Sequence, residues 1–183
     1  MAVIKSIPLA IVSVLMASAG VAADKAGGAP ADQSFVKQAA LDGMTEVQLG
    51  KLAQEKSQNS GIQSFGSRMV KDHTQANDDL ASIAKKKNLA VPSSLDSKHR
   101  RMVEEMSKKS GSDFDAAYTK DMARDHRQAI QLFTRESHAQ DSDFAGFARK
   151  TLPTLEEHRK MADELVSEVR TAAAGESNTP AHR

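Results

Sequence analysis

Four stretches of this chain repeat an inward-looking residue at alternating spacings of three and four. One runs Ile62, Phe65, Met69, His73, Ala76, Leu80, Ile83, and another runs Phe144, Phe147, Thr151, Leu155, His158, Ala162, Leu165, Val169. A third runs Phe114, Tyr118, Met122, His126, Ala129, Phe133. The fourth is weaker: Phe35, Ala39, Asp42, Glu46, Leu49, Ala53, with Val36, Ala40 and Val47 beside it. Steps of three and four stay on one side of a helix of 3.6 residues per turn, so each series is the buried face of an amphipathic helix. Between the stripes stand Ala, Lys, Glu, Gln and Leu, which are strong helix formers, with almost no β-branched runs. The fold class is all-α.

The breaks between stripes set the boundaries. Long helices are expected over 33–56, 60–87, 112–138 and 142–171, with a short one over 94–109. Asn59-Ser60-Gly61 offers a closing Asn and a capping Ser, Pro92-Ser93-Ser94 ends one segment and caps the next, and Ser110-Gly111-Ser112 does the same, with Asp115 three residues after Ser112. Asp141 and Ser142 cap the last helix, and Pro153 inside it predicts a kink near 150–151. Helices of this length span about 37 Å. An internal repeat is also legible: EVQLGKLAQEKS from Glu46 parallels HRQAIQLFTRES from His126, and HTQANDDL from His73 parallels HRKMADEL from His158. The chain therefore reads as two helical hairpins joined by a much longer connection. That order predicts a ferritin-like four-helix bundle with a long crossover, holding the short helix, between its second and third long helices.

The ends read differently from the middle. Lys5 precedes an apolar run from Ile7 to Met16, and small residues follow to Ala23. This is the pattern of an export signal cleaved after Ala23, with Ala19 the alternative. The apolar stretch falls short of the roughly 20 residues that span a bilayer, and no later segment is apolar enough to do so. A periplasmic or secreted protein is expected, with a flexible leader over 24–32, a helical domain over 33–171 and a disordered tail over 172–183. The 25 Lys and Arg stand against 24 Asp and Glu, and there is no Trp. That balance argues against a nucleic-acid partner. With no Cys, disulfides, thiolate metal sites and thiol nucleophiles are excluded, and packing alone must hold an exported chain together.

The residues able to carry chemistry are Glu46, His73, His126 and His158, one near the inner face of each long helix. Counting from the hairpin turns at 1.5 Å per residue puts Glu46 and His73 within roughly 3 Å in height, and His126 and His158 within roughly 5 Å. All four can share one mid-bundle layer. Three neutral imidazoles and a carboxylate in an apolar core form a site for one divalent transition metal ion such as iron, zinc or copper. Met69, Met122 and Met161 each lie one turn from a candidate ligand, and thioether ligation would favour copper. The competing reading is a polar core network: histidines on an apolar face are commonly hydrogen-bonded core residues, and methionines are core filler. What favours a metal is the coincidence of three imidazoles at one height, costly in a core without a shared partner. Asp72 and Asp125 point about 100° away around their helices, toward solvent or a neighbouring helix's base. His99, His138 and His182 read as solvated. Nucleotide-binding loops, the serine-hydrolase elbow and H-E-x-x-H are all lacking.

Four motifs in order, FVKQAALDGMTEVQLGKLAQEKS, FGSRMVKDHTQANDDL, YTKDMARDHRQAIQLF and TLPTLEEHRKMADEL, resemble the bacterial family called domain of unknown function 4142 over about residues 35–166. The resemblance implies a ferritin-like fold and an exported location, and carries no established activity. Ferritin-like di-metal proteins use a Glu from each of two helices and Glu-x-x-His from the other two. Here Val70 and Leu155 stand three residues before His73 and His158, and His126 stands where the first repeat has Glu46. The carboxylates that bridge two irons are missing, so a mononuclear site is expected, in sequestration or stress protection rather than catalysis. The alternatives are a structural or partner-binding bundle without metal, and a redox enzyme at a single metal.

Overall fold

A computed structural model of the chain describes residues 30–176. It contains α1 (Pro30–Lys56), α2 (Ser60–Lys86), α3 (Ser97–Ser107), α4 (Gly111–Glu136) and α5 (Ser142–Glu176), and no strand among the described residues. The export signal expected over 1–23, residues 24–29 of the expected leader and the tail beyond 176 lie outside the described residues.

The helix ends depart from the expected ones for local reasons. α1 begins at Pro30 rather than 33: proline at the first helical position gives up an N–H that has no partner there, and Asp32 in the first turn suits the positive end of the helix. α2 is capped by Asn59, whose Oδ1 accepts from the N–H groups of Gly61 (2.8 Å) and Ile62 (3.2 Å), so Asn59 opens the second helix instead of closing the first. Asp96 caps α3, accepting from His99 N–H at 3.0 Å, and displaces the expected cap at Ser94. α4 is preceded by Ser110, which makes no side-chain capping bond, and Ser112 lies inside the helix rather than before it. Asp141 caps α5 as expected, accepting from Asp143 and Phe144. α5 runs through Pro153 and continues past 171 to Glu176, because the alanines at 172–174 are the best helix formers available.

α1 packs along α2 and α4 along α5 as two close hairpins, and α2 with α5 and α1 with α4 close the bundle. Two hydrophobic clusters fill it. One gathers Phe35, Val36, Leu80, Phe133, Phe144, Phe147 and Leu155. The other gathers Leu49, Ile62, Phe65, Met69, Phe114, Tyr118, Met122 and Leu165. Along α1 and α5 the chain passes from the first cluster to the second, and along α2 and α4 from the second to the first. α2 and α4 therefore run in the same direction. The connection 87–110 must return the length of the bundle, and α3 within it lies mainly against α1. The expected stripes are the buried ones, with Asp42, Val47, Ala76, Ile83, Ala129, Thr151 and Val169 only half-buried.

Within the first hairpin the two backbones meet at glycine. A Cβ added at Gly66 would stand 2.7 Å from Gly50 O and 2.8 Å from Ala53 Cβ, whereas one added at Gly146 in α5 meets nothing within 4 Å. Replacing a helical Gly by Ala ordinarily gains up to about 1 kcal/mol. Gly146→Ala is expected to raise stability by about 0.5–1 kcal/mol. Gly66→Ala should lower it by about 1–2 kcal/mol, since a rigid backbone oxygen cannot give way and overpacking outweighs propensity. Urea unfolding of both variants reads the opposite signs.

Candidate metal centre

Between the two hydrophobic clusters lies a polar layer. Each long helix supplies one residue to it, because the buried stripe of each reaches mid-bundle at that position: Glu46 from α1, His73 from α2, His126 from α4 and His158 from α5. Their exposures are 5%, 7%, 0% and 0%. The three imidazole centroids form a near-equilateral triangle, 5.6 Å from His73 to His126, 5.3 Å from His73 to His158 and 5.3 Å from His126 to His158. One ring nitrogen from each lies within 4.8 Å of those of the other two. The structure brings all four residues together.

The two nitrogens of each ring have different surroundings. His126 Nδ1 donates to the carbonyl oxygen of Met122 at 2.9 Å. A carbonyl can only accept, so this nitrogen carries the proton and Nε2 is a bare lone pair. His158 Nε2 donates to Asp72 Oδ2 at 3.0 Å, which leaves Nδ1 as the lone pair. His73 Nδ1 lies 3.1 Å from Glu46 Oε2. The opposite atoms, His73 Nε2, His126 Nε2 and His158 Nδ1, are all buried without a hydrogen-bond partner. Each such group costs roughly 1–3 kcal/mol when left unmade. At least two of the three are acceptors, and a group that satisfies them together must be electrophilic.

Charge follows burial. Desolvation, and then the other two imidazoles, hold His73 well below the usual histidine range. Desolvation, and then His158, push His126 down to about 4, against a small opposing pull from the Met122 carbonyl. Desolvation lowers His158 as well, against the pull of Asp72. The rings are therefore neutral at pH 7, the form that coordinates a metal. Burial, and then Asp42 and Asp125, raise Glu46 well above the usual carboxylate range.

Glu46 sits behind the imidazoles rather than among their free nitrogens: one oxygen lies on His73 Nδ1 and the other 3.6 Å from His126 Nδ1. Of the two acids expected to meet solvent or a neighbouring helix's base, the one that reaches the centre is Asp72. It does not look to solvent but fixes His158 from the neighbouring helix, and is itself held by Arg68 Nε at 3.3 Å. Arg68 in turn grips Glu157 with both terminal nitrogens, at 2.9 and 2.7 Å, and donates to Met161 Sδ at 3.8 Å. The signal was present: at 100° from the core stripe, a residue in a bundle faces the next helix. His99 also departs from expectation. It is 3% exposed, not solvated, with Nδ1 2.7 Å from Asp96 and Nε2 3.2 Å from Asp42, so it fastens α3 to α1. Asp125 meets Arg124 of its own helix at 3.0 Å rather than a base of a neighbouring helix. His138 is exposed, as expected, and His182 lies outside the described residues. Met69 and Met122 are buried in the second hydrophobic cluster.

The family model described as Domain of unknown function (DUF4142) matches residues 17–165. The chain belongs to this family. Its fold is similar to the crystal structure of a DUF305 fragment from Deinococcus radiodurans, with a TM-score of 0.68 and 14% sequence identity over 78% of this chain and 99% of that one. At that identity the likeness is one of fold. No curated protein matches the chain in sequence.

The depressed histidines give stability a sign with pH. A group whose folded pKa lies below its unfolded value of 6.5 stabilises fully above 6.5, and that contribution is lost as pH falls toward the folded value. Glu46 acts in the opposite sense, its raised value adding stability as pH falls. The metal-free protein should thus lose about 2 kcal/mol through His126 alone between pH 7 and pH 5. His126→Phe should lose less than the parent over that interval by about this amount, as read by urea unfolding at the two pH values.

Proposed function

We propose that this DUF4142 protein binds one divalent transition metal ion, iron, zinc or copper, through His73 Nε2, His126 Nε2 and His158 Nδ1, and that it serves in sequestration or stress protection of the compartment to which it is exported. The observation that carries the reading is a set of three buried imidazoles, each with one ring nitrogen that has no partner, and each offering a nitrogen within 4.8 Å of the other two. Neutral imidazoles suit these metals, and a three-nitrogen set leaves a further position for water. The opposite nitrogens are held by Glu46, the Met122 carbonyl and Asp72. Such outer partners fix tautomer and ring orientation at metal sites. Glu46 is assigned here as the residue that orients His73, and as the acid that offsets part of the ion's charge. Missing bridging carboxylates support a single ion rather than a di-metal centre.

The bundle that holds the site is read as ferritin-like. Support comes from the parallel run of α2 and α4, which requires the crossover 87–110, and from the packing of α1 on α4 and α2 on α5. Export rests on the signal-like first 23 residues. No helix among the described residues is long and apolar enough to cross a membrane.

Metal analysis of untagged protein, paired with thermal unfolding, tests the assignment. Zinc at a hundredfold excess over its Kd should add about 2.7 kcal/mol and raise Tm by roughly 5–10 °C. His73→Leu together with His126→Leu should abolish the metal-dependent shift while leaving the metal-free protein equally or more stable. Less than a tenth of an equivalent of metal in every preparation, with no shift from zinc, copper or iron, would show a polar network that holds no ion. Turnover of peroxide or oxygen by the loaded protein would replace sequestration by catalysis. Asp72→Asn should weaken zinc binding about 10–100-fold by releasing His158, whereas Asp79→Asn on the outer part of the same helix should leave it unchanged.

A further inference from the structure

The metal layer is closed above and below by hydrophobic clusters, so an ion must reach it from the side. We propose that it loads through the pocket between α1, α3 and α4, guided inward by Asp42, Asp125 and Glu46; this inference rests on the metal reading above. The pocket holds about 70 Å³, enough for an ion that keeps some of its water, and its walls include Asp42, Asp125, Gln128, Lys98 and His99, with Glu46 among the lining residues. Acidic walls alone would mark nothing. What gives these walls a destination is the innermost acid: the Glu46 carboxylate lies 3.1 Å from His73 Nδ1 and 3.6 Å from His126 Nδ1. The other nitrogen of each of those two rings is buried and unpartnered. One carboxylate thus ties a solvent-reaching pocket to the two rings whose opposite nitrogens lack a partner.

The other approaches fit a cation poorly. On the α2–α5 side, Arg68 lies over Asp72 and Glu157 with its own positive charge. A second cavity reaching Glu46 and His73 is about 20 Å³, room for one water, and is walled largely by Leu80, Phe133, Phe147 and Leu155. Moving a hydrated ion past such walls is costly. Within the acidic pocket the outward partners are exposed side chains, while the buried His99 Nε2 also lies 3.2 Å from Asp42 Oδ1. Gln38 donates to both oxygens of Asp42, at 2.8 and 2.9 Å, and Arg124, which pairs with Asp125, is 47% exposed. Carboxylates lining a low-dielectric cleft raise the local cation concentration and speed association by roughly 10–10³-fold. Lys98 at the wall opposes Asp42 and Asp125 with one charge.

Rapid mixing of metal-free, full-length, untagged protein with cobalt(II), followed by its ligand-field absorption, tests the route. Asp42→Asn with Asp125→Asn should slow uptake about tenfold or more, with the final spectrum and stoichiometry unchanged. Glu164→Gln with Glu168→Gln, an equal loss of charge on the exposed face of α5, should leave the rate near that of the parent. Should the double asparagine variant fail to fold, Asp125→Asn alone serves, with an expected slowing of about threefold. Equal rates and equal final spectra in parent and pocket variants would overturn the route while leaving the site intact, as would equal slowing by the α5 control. A parent protein that develops no cobalt spectrum at equilibrium would overturn the metal reading and this inference with it.

Discussion

The bundle is organised around three neutral imidazoles buried in one plane. Apolar packing alone would let four amphipathic helices slide past one another by a turn at modest cost, since one aliphatic contact replaces another. A slide of one turn here, about 5.4 Å, would drive His73 or His158 among Phe65, Tyr118 and Phe114 in one direction, or Leu80, Phe133 and Phe147 in the other. The ring would lose its Glu46 or Asp72 partner and find none. Polar burial therefore fixes the height of each helix, and the two hydrophobic clusters take their composition from what remains on either side.

Much of this was legible from spacing. A stripe at steps of three and four states which side of a helix is buried, and counting residues from a turn states the depth; together these place Glu46, His73, His126 and His158 in one layer before any coordinates are known. What spacing does not state is the partner across a helix boundary. Asp72 lies off the core stripe of α2 and reads as a surface acid, yet the neighbouring α5 brings His158 to it. His99 reads as solvated because its segment is short and polar, but the crossover lays that segment against α1, where Asp42 awaits. Capping chemistry is similarly local and contested. Asn59 could close one helix or open the next, and only the geometry of Gly61 and Ile62 decides. Expected ends fell short where Pro30 and the alanines at 172–174 extended α1 and α5.

The chemistry of the layer also explains how it differs from di-metal four-helix bundles. Two bridging carboxylates need two ions to share their charge. Here the acids sit behind the rings, one on His73 and one on His158, where they act on imidazole tautomers. The three rings stand close enough to offer one nitrogen each within 4.8 Å of the others, and burial keeps the rings neutral. A single soft-to-borderline cation matches that arrangement better than a pair of hard ones.

The two hairpins are related by sequence, with Glu46 matching His126 and His73 matching His158. Strict twofold symmetry would supply inner donors only in even numbers: two carboxylates with two imidazoles, or four imidazoles. Three of one kind and one of another is an odd set, and no pair of identical hairpins can present it. The crossover 87–110 thus does more than connect: by making both halves one polypeptide, it allows corresponding positions to carry different residues, and so permits a centre with a distinct front and back.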